Sequence, residues 1–219
     1  MKHFQRELDK IKKMILSLGA LAEQRVNRIR QALEDRDVEL AKEIIHLDHE
    51  IDDMEVEIEE ECLKIIALHQ PVAADLRFLV AVIKINNDLE RIGDQVVNIA
   101  QRVVTIARRP VAPFNFDYSE MAEKAESMLR MSLDSLVNQD LDAAIKVLHL
   151  DDEVDKFKDE AYDRIKQAMA DGITDDVGYM INLLLISRHI ERLADHATNI
   201  AEEVAYMIEG EIVRHGRLE

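Results

Sequence analysis

The residues with the most pointed chemistry are two pairs of carboxylates, Glu90 with Asp94 and Glu191 with Asp195. Members of each pair stand four positions apart, so on a helix they share one face with Cβ atoms about 5–6 Å apart. Like charges at that spacing destabilise a helix by tenths of a kcal/mol, and burial makes the cost far larger unless a cation lies between them. An all-oxygen donor set without cysteine suits hard or borderline cations: magnesium, calcium, manganese or iron. Zinc would more usually recruit histidine, and His49, His189 and His196 do flank the acids, although a lone histidine is more often a surface or satisfied residue. The competing reading is that Arg91, Arg192, Arg77 and Lys84 neutralise the carboxylates in ordinary ion pairs.

The two pairs belong to a repeat. Residues 90–101 begin ERIGDQVVNIA and residues 191–202 begin ERLADHATNIA; over the eleven aligned positions six are identical. Upstream, HLDHEID from His46 to Asp52 aligns with HLDDEVD from His149 to Asp155. Self-similarity at this distance implies two copies of one supersecondary unit.

The elements that carry these motifs follow from apolar spacing. Phe4, Leu8, Ile11, Ile15, Leu18, Val26 and Ile29 predict a first helix over about residues 3–34. Asp35 and Asp37 supply capping oxygens, and Leu40, Ile44, Ile51, Ile58 and Ile65 predict one continuous second helix to about His69. Pro71 interrupts the pattern, and a richly apolar third helix runs from Asp75 to about Arg108. The stretch RRPVAPFNFD, with Pro110 and Pro113, reads as a linker. Helices over about 117–137, 139–170 and 175–209 then repeat the cycle. The expected fold is all-α, two tandem three-helix bundles, divided into residues 1–109, a linker 110–116, and residues 117–219.

Folding the second and third helices into an antiparallel hairpin about Pro71 levels Asp52 with Glu90 and Asp48 with Asp94. A turn centred on Ile173 does the same in the second unit, levelling Asp155 with Glu191 and Asp151 with Asp195. Four carboxylates thus face one another in each hairpin. Asn98 and Asn199 extend the stripe by a turn, where helix-to-helix amide bonding is the simpler role.

Composition excludes several functions. A formal net charge of -17 repels both a nucleic-acid backbone and an anionic lipid surface. MKHFQREL lacks an apolar signal core, no stretch approaches the ~20 apolar residues of a spanning helix, and one cysteine permits no internal disulfide, so a cytoplasmic, non-integral protein is expected.

QPVAADLR (Gln70 to Arg77), DLERIGDQVVNIA (Asp88 to Ala100) and HIERLADHATNIA (His189 to Ala201) together resemble the PhoU family, over essentially the full chain. The resemblance implies two three-helix bundles and metal binding, to iron, zinc, magnesium or manganese, through motifs of the form E/D-x-x-x-D. Here these are Glu90 with Asp94, Glu191 with Asp195, Asp48 with Asp52 and Asp151 with Asp155. It also implies a homodimer and a negative regulator of the phosphate-starvation response. Such a regulator links the ATPase subunit of a phosphate ABC transporter to a membrane sensor histidine kinase, and meets the inner membrane only through those partners.

Two other classes compete. A carboxylate-bridged di-iron enzyme needs Glu-x-x-His on two helices; Glu43 to His46 is one, but its repeat-equivalent is Lys146 to His149. A metal-free helical adaptor needs no site at all. Nucleophilic hydrolysis has no support, since Cys62 lies in an acidic helix and no serine sits in a Gly-rich elbow. A phosphate receptor is disfavoured by the missing Gly-rich loop and by the charge.

Overall fold

The computed structural model describes residues 2–108, 114–173 and 176–210, and these form seven α-helices: α1 (Lys2–Asp35), α2 (Val38–His46), α3 (His49–His69), α4 (Ala73–Ile106), α5 (Ser119–Asn138), α6 (Leu141–Ala170) and α7 (Val177–Glu209). They build two three-helix bundles in tandem, α1 with α2/α3 and α4, then α5 with α6 and α7. The inner helices α4 and α7 pack along each other, and α1 also meets α5, so the two bundles share one continuous apolar core.

Local chemistry sets the ends. Asp37 caps α2 by accepting from the backbone N–H groups of Glu39 and Leu40 at 3.0 Å each, Asp140 caps α6 through Ala143, and Asp176 caps α7 through Tyr179. Gln70 and Gln139 take the left-handed conformation at the C-termini of α3 and α5, and Pro71 then cannot continue the helix. Of the expected linker, residues 110–113 lie outside the described residues. Phe114–Tyr118 is non-helical and anchored: Phe116 and Tyr118 are buried, and the Tyr118 hydroxyl donates to the Leu183 carbonyl at 2.6 Å.

The expected second helix is in fact two. α2 stops at His46 and α3 starts at His49, with Leu47 (φ -95°, ψ 12°) donating to the carbonyls of both Glu43 and Ile44. Glu50 and Asp52 fall in the first turn of the new helix, where the macrodipole favours negative charge, and the Glu50 and Ile51 N–H groups donate to the carbonyls of Leu47 and Asp48. His49 Nδ1 lies 3.2 Å from the His46 carbonyl, donating to an oxygen at the end of α2. In the second unit α6 runs through the equivalent Asp151 unbroken.

Register within the α3–α4 hairpin is fixed by close packing. A Cβ on Gly93 would sit 3.0 Å from Ile51 Cδ1, which places the segment between Asp48 and Asp52 against that between Glu90 and Asp94. The Asn86 amide donates to the Glu55 carbonyl at 2.9 Å on the same hairpin. Ala194 occupies the position equivalent to Gly93 in the second unit. Gly93→Ala should therefore be near neutral, within about 0.5 kcal/mol, because a helix-propensity gain of about 1 kcal/mol offsets the displacement of one flexible methyl. Urea denaturation tests it; a loss above about 2 kcal/mol would mean that Ile51 cannot give way.

Candidate functional site

The first-unit carboxylates fall where the hairpin geometry puts them. Asp48, at the head of α3, feels the charges of Asp52 and of Asp94 from α4, while Glu90 feels those of Asp94, Asp52 and Glu55. Desolvation is the larger influence in both cases, and with the neighbouring charges it holds the carboxyls of Asp48 and Glu90 above the usual range. Glu55 is raised in the same way, by burial and then by Glu59 and Asp52. Among the described residues no lysine or arginine forms a salt bridge with Asp48, Asp52, Glu90 or Asp94. The nearby Arg25, 5% exposed, is held by Glu50 and only tempers Asp48 through space.

Basic residues that were candidates for neutralising the acids have other work. Arg91 donates to Asn87 at 3.1 Å, Lys84 pairs with Glu203 at 2.8 Å, and Arg77 lies against Gly210. Glu43, of the lone Glu-x-x-His pair, is bound to Arg28 at 2.7 Å.

The second-unit cluster has the same plan and a different content. Asp195 feels Glu191, Asp151 and Asp155, and its carboxyl is pushed up to about 6. Asp195 is exposed to solvent on one side, but desolvation by the packed helices is still the first cause and the three neighbouring charges add to it. Burial and then Asp155 raise Asp151 too, with the nearby Thr198 hydroxyl, which donates to the Ala194 carbonyl at 3.1 Å, tempering the rise. A lysine stands inside this cluster. Lys158 Nζ lies 2.9 Å from Asp155 Oδ1 and 3.4 Å from Glu191 Oε1, with Asp159 at 3.7 Å. The hydrogen bond to Asp155 and the surrounding charges hold that ammonium well above the usual lysine range.

Sequence reasoning missed Lys158, although the signal was present one turn beyond the aligned motif. Asp52-x-x-Glu55 in the first unit becomes Asp155-x-x-Lys158 in the second.

His189 and His196 face the neighbouring unit, whereas His49 stays in its own unit beside Asp48. His196 Nδ1 meets Asp88 Oδ1 at 2.9 Å, where Asn199 also donates at 3.1 Å, and His189 Nδ1 meets Gln95 Oε1 at 2.9 Å. Asp88 and Gln95 occupy in α4 the places that His189 and His196 occupy in α7. The two contacts are therefore the two halves of a pseudo-twofold seam between the bundles. Burial, with Arg102, Arg192 and Arg188 nearby, lowers the His189 pKa to about 4, so this ring is neutral at pH 7.

Among the described residues no three His, Cys, Asp or Glu side chains already converge on one point in a metal-holding arrangement. The donor chemistry of the first cluster nevertheless fits a hard cation: carboxylates only, mutually repelling, with Arg25 and Arg91 acting on them only through space.

Known proteins resemble the chain along its length. The model of the PhoU domain matches twice, at residues 15–103 and 118–204. A phosphate-specific transport system accessory protein PhoU homolog of Pseudomonas aeruginosa is 34% identical over 214 residues, covering 97% of this chain and 88% of the relative. One from Aquifex aeolicus is 37% identical over 213 residues, covering 96% and 95%. The crystal structure of PhoU from Pseudomonas aeruginosa superposes with a TM-score of 0.91 at 32% identity, over 95% of this chain and all of that one. The phosphate transport system regulatory protein PhoU from Streptococcus pneumoniae gives a TM-score of 0.88 at 29% identity, over 97% of this chain and all of that one. With the paired acidic motif, the tandem three-helix bundles and two domain matches in agreement, the chain belongs to the PhoU family.

Proposed function

We propose that this protein is a non-enzymatic, metal-binding accessory regulator of phosphate transport. In this reading it links a phosphate ABC transporter to a sensor histidine kinase and restrains the starvation response when phosphate is plentiful. The observation that carries the reading is the near-full-length match to accessory and regulatory PhoU proteins. It is supported by the absence, among the described residues, of a helix long and apolar enough to cross a membrane, which leaves protein contacts as the route to the transporter. The net charge of -17 works against unaided adsorption on anionic lipid. A cytoplasmic protein, peripheral to the inner membrane through its partners and dimeric in solution, fits these features.

Asp48, Asp52, Glu90 and Asp94 are the residues that would hold a multivalent cation, with Asp151, Asp155, Glu191 and Asp195 as their counterparts. A bound cation would neutralise the repulsion within a cluster and so brace α3 against α4. Oxidase chemistry through Glu43 is disfavoured, since Arg28 already engages that carboxylate.

Deleting the gene should leave a phosphate-starvation reporter active in rich phosphate, at least ten-fold above the wild-type level. The wild-type chain should restore repression, and the protein should co-purify with membranes only where transporter or kinase is present. A reporter that stays repressed after deletion sinks the regulatory assignment.

A further inference from the structure

The two units carry the same acidic pattern, yet their clusters differ in what compensates it. In the second unit an ammonium already occupies the space between the helices: Lys158 Nζ reaches Asp155 on its own helix and Glu191 across the hairpin. The contact across the hairpin is the more shielded, Lys158 and Glu191 having side chains 31% and 21% exposed, while the Asp155 side chain is 50% exposed. The first unit has Glu55 where Lys158 stands, and Val97 where Thr198 places a hydroxyl near Asp151. The first of these changes removes the group that satisfies Asp155 and Glu191. Glu55 also adds a fifth acid beside Asp52 and Glu90.

We infer that Lys158 is the built-in cation of the second cluster, so that the two units are not equivalent and multivalent cations are confined to the first. The first clause stands on the lysine geometry alone; the second rests on the metal-binding reading above. A divalent ion at the second cluster would have to expel the ammonium from two carboxylates, whereas at the first it meets only oxygen donors. The consequence is a division of labour: one hairpin has a fixed internal brace, and the other has a brace that depends on cation supply.

The test uses the full chain, stripped of metal with a chelator and titrated with Mn²⁺, with free Mn²⁺ read by electron paramagnetic resonance. Glu90→Gln with Asp94→Asn should weaken binding at least ten-fold, and Glu191→Gln with Asp195→Asn should change it less than two-fold. Glu55→Lys should weaken it at least ten-fold by importing the lysine, and Lys158→Met should add a second class of sites. Equal losses from the two double variants, or no added sites in Lys158→Met, overturn the confinement while leaving metal binding in place.

Thermal unfolding of the metal-free protein tests the lysine by itself. Lys158→Met should lower the melting temperature, and Glu191→Gln should recover part of that loss in the Lys158→Met background while being costly in the wild type. Purely additive effects overturn the role of Lys158. If no Mn²⁺ binds at either cluster but this coupling is present, the metal-binding reading fails and the built-in cation stands.

Discussion

Replacing Leu89 with alanine is expected to remove about 3 kcal/mol of stability, the midrange cost of truncating a fully buried leucine. Leu89 is 0% exposed on α4 and directly precedes Glu90, so its side chain fills the core while its neighbour faces the acidic cluster. Shortening it leaves a cavity beneath the helix that sets the level of Glu90 and Asp94 against α3. For a chain of this length the loss corresponds to roughly 10 °C in melting temperature. Leu63→Ala is the natural control: Leu63 is 53% exposed on α3, and its truncation should stay within about 0.5 kcal/mol. Urea unfolding followed by circular dichroism gives both values. A Leu89→Ala loss below about 1 kcal/mol would show that α4 collapses into the gap, and the placement of the acids by a rigid core would then have to be abandoned.

The parts of this architecture that could be read from sequence are those written in local periodicity. Ile51, Ile58 and Ile65 mark the inner face of α3, Pro71 marks the turn, and equal arm lengths from that turn bring Asp52 level with Glu90 and Asp48 level with Asp94. The Gly93–Ile51 approach agrees with this register. The break between His46 and His49 was not legible. Its apolar pattern continues through Ile44 and Ile51 as if the helix were unbroken, and no glycine or proline marks the interruption at Leu47. The seam of His196 with Asp88 and His189 with Gln95 was equally hidden, because periodicity within one unit does not say which of its polar residues will meet the other. Lys158 lay between these extremes, visible once the repeats are compared position by position and invisible while attention stays on the acids they share.

Asp195→Asn should stabilise the metal-free protein at pH 7, and the gain should shrink as the pH falls to 5. The Asp195 carboxyl is raised to about 6, first by desolvation and then by Glu191, Asp151 and Asp155, with His196 pulling weakly the other way. In the unfolded chain an aspartate titrates near 3.9. Between those values the native state holds more protons than the unfolded one, so this group makes stability fall as pH rises through the window. Two pKa units would amount to nearly 3 kcal/mol for a fully buried group. Asp195 is an exposed residue, and solvent screening reduces the expected gain at pH 7 to about 1 kcal/mol. At pH 5 the native carboxyl is already mostly protonated, so asparagine should gain about half as much. His189 works in the opposite direction. Lowered to about 4, it stays neutral in the native state while the unfolded ring takes up a proton near 6.5, so it loses stability as the pH falls. The wild-type profile is the sum of both slopes, and only the difference between wild type and Asp195→Asn isolates the carboxylate. Denaturant titrations of both proteins at pH 5 and pH 7, with chelator present, give that difference. A gain that is equal at the two pH values, or a loss at pH 7, would mean that Asp195 is not held against its neighbours' charge and that the second cluster is compensated more fully than Lys158 alone can account for.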